Sequence, residues 1–128
     1  MQELIFIVDD SDMMLTLMAS VLDDVCRVLT IPSAKKLFTL LEKKTPDLIL
    51  LDVEMPEITG FEAIVILKEH PQWKDIPVVF LSGLSNDDIQ TKALQLGALG
   101  AISKSMKASL IKDAVIDYLE NISTVSKN

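Results

Sequence analysis

Short continuous apolar blocks recur along the chain at Leu4–Val8, Leu48–Leu51 and Val78–Leu81, with weaker ones at Cys26–Ile31 and Leu99–Ile102. Blocks of that length without polar alternation suit strands buried on both faces, as in a parallel sheet covered by helices. The intervening segments carry helical spacing instead. After the first block, Met14, Leu17, Met18, Val21 and Leu22 follow the i, i+3, i+4, i+7, i+8 rule of one buried stripe, and Ser11 or Asp12 stands where an N-cap belongs. Ser33 caps a second predicted helix running through Lys43. Gly60 precedes a third from Phe61 to Glu69, which Pro71 stops. Asn86-Asp87-Asp88 opens a fourth that ends at Gly97, and a fifth spans Lys107 to Asn121. Strands alternating with helices predict an α/β doubly wound, five-stranded parallel sheet with right-handed crossovers.

In such a sheet, functional groups gather outside the carboxyl ends of the strands. The first strand here ends in Asp9-Asp10, the third in Asp52, the fourth in Ser82 and the fifth in Lys104. Each alone has a plain explanation as a cap, a turn residue or a solvated charge. Converging on one edge, the carboxylates would raise one another's pKa unless a cation sits among them, and an all-oxygen set favours a hard ion such as Mg²⁺.

Composition narrows the function further. With 128 residues, 49% of them hydrophobic, and 24% charged, the chain is expected to form a single domain over residues 1–128. A lone cysteine, Cys26, excludes an internal disulfide framework and fits a small buried apolar residue in a reducing compartment. Neither a membrane-spanning run nor a signal-peptide start is present, which predicts a cytoplasmic location and no membrane contact. A net charge of -7 argues against direct nucleic-acid binding, where clustered Lys and Arg must neutralise phosphates.

Four segments together, IFIVDDS around Asp9-Asp10, LILLDVEMPEITGFE around Asp52, IPVVFLSG around Ser82 and GALGAISK ending at Lys104, resemble the receiver domains of two-component response regulators. The resemblance runs from Leu4 to about Leu119. The middle segment is its most specific part, with Met-Pro three residues after the Asp and Gly eight after it. The resemblance implies a flavodoxin-like sheet of order 2-1-3-4-5 and a phosphoacceptor signalling domain, not an enzyme with a separate substrate. By position, Asp52 is then the phosphoacceptor, taking a phosphoryl group from a sensor histidine kinase, a histidine phosphotransfer protein or a small phosphodonor. Asp10 and Asp52 would bind Mg²⁺ (or Mn²⁺) directly, Asp9 through a bound water, and the backbone carbonyl of Glu54 would complete the set. Lys104 would neutralise the phosphoryl charge and Ser82 would supply the switch hydroxyl. The family includes stand-alone receivers of the chemotaxis type and receivers that form part of longer regulators, and either fits.

Two departures bear on the switch. Ser105 stands where receivers usually carry a proline on a cis bond; a cis non-proline bond costs about 2.5–4 kcal/mol, so a trans bond is expected and the aim of Lys104 is open. Ala101 replaces the usual Tyr or Phe three residues before the lysine. Leu94 and Leu99 share its surface and make an apolar patch, expected to contact a downstream protein or a second copy. Glu54 and Leu84 hold positions that tune autodephosphorylation in the family.

Met13 and Leu15 fall off the first helix's buried stripe beside the acidic mouth, as candidate partner contacts, and His70 is expected to cap the third helix. Three other functions compete with this reading. A haloacid dehalogenase-type phosphatase needs a second Asp two residues after its nucleophile, where Glu54 stands. A flavin binder needs a phosphate loop that Asp9-Asp10-Ser11-Asp12 would repel. The strongest alternative is a receiver-like protein-binding module that does not signal by phosphorylation.

Overall fold

The computed structural model describes residues 2–83 and 87–126, with side chains through residue 122. Five strands, β1 (Leu4–Val8), β2 (Arg27–Ile31), β3 (Leu48–Asp52), β4 (Val78–Ser82) and β5 (Gly100–Ser103), alternate with five helices. The helices are α1 (Asp12–Leu22), α2 (Ala34–Leu41), α3 (Gly60–Glu69), α4 (Asp87–Gln95) and α5 (Ala108–Ser126). All pairings are parallel and the order is β2-β1-β3-β4-β5, as the resemblance implied. Side chains along each strand alternate between two apolar layers. Phe6, Val8, Ile49, Leu51 and Phe80 pack with α2, α3 and Ala93 of α4, while Ile5, Ile7, Leu50, Val79 and Leu81 pack with α1 and α5. The central strands β1, β3 and β4 are buried along their whole length, which is why they read as unbroken apolar blocks.

Several expected boundaries shift for local reasons. Cys26 lies outside β2, because its N–H bonds Leu22 O and closes the turn after α1; its thiol is buried, as expected, and burial pushes it up to about 11. In α1 the N-cap is Ser11, whose Oγ accepts the Met14 N–H at 3.3 Å. Its inward stripe is Leu15, Met18 and Leu22; Leu17 is 42% exposed and Met13 81%. The helix is apolar on most of its circumference, so spacing alone did not fix which face turns inward, and the expectation for Leu15 and Leu17 is reversed.

Helix α2 is capped by Ser33 and stops at Leu41, short of Lys43. Thr59, not Gly60, caps α3, forming a reciprocal capping box with Glu62. His70 is the C-cap residue, but its ring does not cap the helix carbonyls: Nδ1 accepts the Gln72 N–H and the ring stacks on Trp73 with centroids 3.6 Å apart. Gly97, at φ 93°, ends α4, with the Gly97 N–H on Leu94 O and the Ala98 N–H on Ala93 O. Asn86 and Leu84 lie outside the described residues. Strand β5 begins at Gly100, one residue later than predicted, although the Leu99 N–H still bonds Val78 O at 2.8 Å, and α5 continues past Asn121, its inward stripe of Ile111, Val115 and Leu119 meeting no Gly or Pro breaker.

Candidate functional site

Asp9, Asp52, Ser82 and Ser103 are buried polar residues at the carboxyl ends of β1, β3, β4 and β5. The parallel register sets Asp52 beside Leu81 and Ser82 beside Ser103, so their side chains open on one edge of the sheet. Asp9 is held by two bonds: its N–H bonds Ile31 O at 3.0 Å, and its Oδ1 accepts the Ser11 N–H at 2.9 Å. Asp52 Oδ1 accepts the Glu54 N–H at 3.3 Å. Close behind Asp52, the Gly60 N–H bonds Val53 O at 2.9 Å, bringing the first turn of α3 against the backbone that carries Asp52.

Lys104 joins the carboxylates. Its Nζ lies 2.8 Å from Asp9 Oδ2 and 3.2 Å from Asp52 Oδ1, with 19% of the side chain exposed. Asp9 Oδ2 is fully buried and accepts no hydrogen bond of regular geometry among the described residues, so the close ammonium is its compensation. Burial, followed by the charge of Asp9, pushes the Asp52 carboxyl up to about 7, against the pull of Lys104 and the Glu54 N–H. Burial alone would lower the Lys104 ammonium, but its bond to Asp9 and the charges of Asp52 and Asp9 outweigh that and hold it above its ordinary value.

Three of the four expected metal ligands come together. Buried Asp9, exposed Asp10 and buried Asp52 each place one carboxylate oxygen within 4.8 Å of the others. A set of hard oxygen donors from three carboxylates, two of them buried, fits a cation such as Mg²⁺ beside the Lys104 ammonium. Glu54 adjoins this group through its N–H. The peptide bond after Lys104 is trans, as expected, since no cis bond occurs among the described residues. Lys104 nonetheless reaches both carboxylates.

Two contacts had no signal in the residue pattern. Gln90 of α4 donates its Nε2 to Ala101 O at 2.7 Å, and its Oε1 accepts the Ala101 N–H at 3.1 Å, so one amide closes the outer edge of β5. Ser103 and Ser105 bridge across Lys104 with their hydroxyls 2.8 Å apart. The pair of serines flanking the lysine was visible in the sequence, but their bond was not.

A parallel sheet of this order with acidic residues and a lysine at its carboxyl edge defines a receiver-type signalling domain. The family model for the response regulator receiver domain matches residues 5–116, and the chain belongs to that family. It is 36% identical over 117 residues to a Vibrio cholerae protein described as "Probable cyclic di-GMP phosphodiesterase", covering 91% of this chain and 26% of that one. To Protein RcaC of Microchaete diplosiphon it is 32% identical over 114 residues, 89% of this chain and 18% of that one. The chain thus spans about a quarter or less of these two relatives. Among solved structures, the receiver domain of a signal transduction histidine kinase from Syntrophus aciditrophicus superposes with TM-score 0.81 at 28% identity, covering 93% and 91% of the two chains. No helix among the described residues is long and apolar enough to cross a membrane.

Proposed function

We propose that residues 1–128 act as one receiver unit that accepts a phosphoryl group on Asp52 from a phosphohistidine of a sensor kinase or histidine phosphotransfer protein. The observation that carries this reading is the meeting of Asp9, Asp10, Asp52 and Lys104 at one sheet edge. A carboxylate oxygen of Asp52 forms the new O–P bond as the P–N bond of the donor breaks, and the electron pair and a proton go to the imidazole nitrogen. Lys104 neutralises charge on the phosphoryl oxygens, and the Ser82 hydroxyl donates to one of them in the product. Asp9, Asp10, Asp52 and the Glu54 carbonyl would hold Mg²⁺ or Mn²⁺, which when bound offsets the charge spread over those oxygens.

The output is a protein contact at the face of Leu94, Leu99 and Ala101, made to a downstream protein or a second copy. Leu94 and Leu99, 61% and 43% exposed, support it. The reading requires no rotating aromatic. Ala101 in the switch position favours the second reading, a binding module that does not use phosphorylation.

Incubation with phosphoramidate or acetyl phosphate and Mg²⁺, followed by intact-mass measurement, separates the two. One acid-labile phosphate is expected in the native chain and none in Asp52→Asn. A native chain that stays unlabelled supports the binding module, and a label that persists in Asp52→Asn refutes the acceptor assignment.

A further inference from the structure

The direction of a lysine side chain depends on how firmly its own backbone is held. Both peptide groups flanking Lys104 are tied. Ahead of it, the Lys104 N–H bonds Ser82 O at 2.8 Å, which fastens β5 to β4 at the site itself. Behind it, the Ser105 N–H donates to Ser103 Oγ at 3.2 Å, the two hydroxyls lie 2.8 Å apart, and the Met106 N–H reaches Ser103 O at 3.3 Å. A serine hydroxyl taking the N–H two residues on is a local turn that fixes the residue between them. Ser103 is only 9% exposed, so its hydroxyl needs a partner inside the protein, and exposed Ser105 supplies it. The residue between them is the one whose Nζ meets Asp9 and Asp52.

We propose that Ser103 and Ser105 are positioning residues for Lys104: their bridge holds its backbone so that the ammonium lies on the carboxylate pair. The inference rests on the phosphoacceptor reading and deepens it. Proline would restrict the backbone after the lysine through its ring. Here two hydroxyls and an amide do so through hydrogen bonds, without a ring and on a trans bond. Both serines act through the lysine, so their loss should matter only while the lysine is present.

The test compares Ser103→Ala, Ser105→Ala and the double variant with the native chain, using phosphoramidate and Mg²⁺. The expected result is a fall in maximal labelling rate of about tenfold in the double variant, the scale on which small misplacements act, with little change in the donor concentration at half-saturation. Ser105→Thr, which keeps a hydroxyl, should restore the rate. In a Lys104→Ala background the serine substitutions should add no further loss. Native rates in the double variant, or losses that add in the Lys104→Ala background, overturn the proposal. A second readout does not depend on phosphoryl transfer: the Lys104 ammonium gives an observable ¹⁵N–¹H resonance only while held in place. Its loss in the folded double variant supports the proposal and its persistence overturns it. Should the native chain take no phosphoryl group, the phosphoacceptor reading falls, and this resonance still decides whether the serines position the lysine.

Discussion

The side-chain amide of Gln90 satisfies both the N–H and the C=O of Ala101, at 3.1 and 2.7 Å, and so joins α4 to the outer edge of the sheet. Ala93 is the buried residue of α4, which gives this tether a large share in holding the helix against β5. Gln90→Ala should therefore cost about 1 kcal/mol and speed hydrogen exchange at the Ala101 amide. Gln90→Glu keeps the acceptor for the N–H and sets a second acceptor against the carbonyl, so its Ala101 amide should stay protected at similar stability loss. With beryllofluoride as the phosphoryl mimic, altered protection is expected from Gly83 to Ala101. Changes confined to the neighbourhood of Asp52 would argue that this face is not the output.

Gly60 explains the glycine eight residues after Asp52. A Cβ at Gly60 would collide with the Asp52 carbonyl oxygen and lie 2.9 Å from Val53 Cα, both of them backbone with no room to yield. Gly60→Ala should destabilise the fold by about 1–3 kcal/mol, as overpacking does, and slow labelling of Asp52 by displacing its backbone. Denaturant unfolding measures the first and intact-mass kinetics the second. Unchanged stability would mean that α3 can move away from β3 freely.

Strand ends were legible from the sequence because a parallel sheet buried on both faces leaves only its edges for polar groups; Asp9, Asp52 and Lys104 could be placed from that rule alone. The inward face of α1 was not, since Met13, Met14, Leu15, Leu17 and Met18 are all apolar and no single stripe stands out from them. Gln90 gave no sign either. An exposed helical glutamine is ordinary, and what makes this one matter is the open edge of β5 opposite it. The aim of Lys104 was open for the same reason: without proline, it depends on a hydroxyl pair whose geometry appears only in three dimensions.

Mg²⁺ should stabilise the protein by mass action if it binds the acidic group only in the fold. At about ten times the dissociation constant the gain is about 1.4 kcal/mol, which raises the melting midpoint by a few degrees. Trp73 lies in the segment before β4, at the opposite end of that strand from Ser82, and its fluorescence should barely respond. Calorimetry is the suitable probe. A midpoint unchanged at saturating Mg²⁺, in a chain that still takes a phosphoryl group, would count against this ligand set.

Without metal, the same site should make stability depend on pH in the sense opposite to most carboxylates. The Asp52 carboxyl is pushed up to about 7 by burial and by Asp9, well above the value near 4 that it has in an unfolded chain. The folded state therefore holds its proton more tightly. That contribution is fully present below about pH 4 and is lost as pH rises through about 7, so metal-free stability should decline over this window from this group. Asp52→Asn cannot ionise and should flatten the decline. Lys104→Ala removes a charge that favours the ionised form, so it should carry the decline to higher pH. Because a bound cation competes with that proton, the stabilisation by Mg²⁺ should grow from about pH 6 to about pH 8 in the native chain, and the growth should vanish in Asp52→Asn. Melting midpoints measured across this range, with and without Mg²⁺, test both slopes together. A metal-free midpoint profile that is the same in the native chain and in Asp52→Asn would show that Asp52 ionises at its ordinary value, and the electrostatic account of the site would fail.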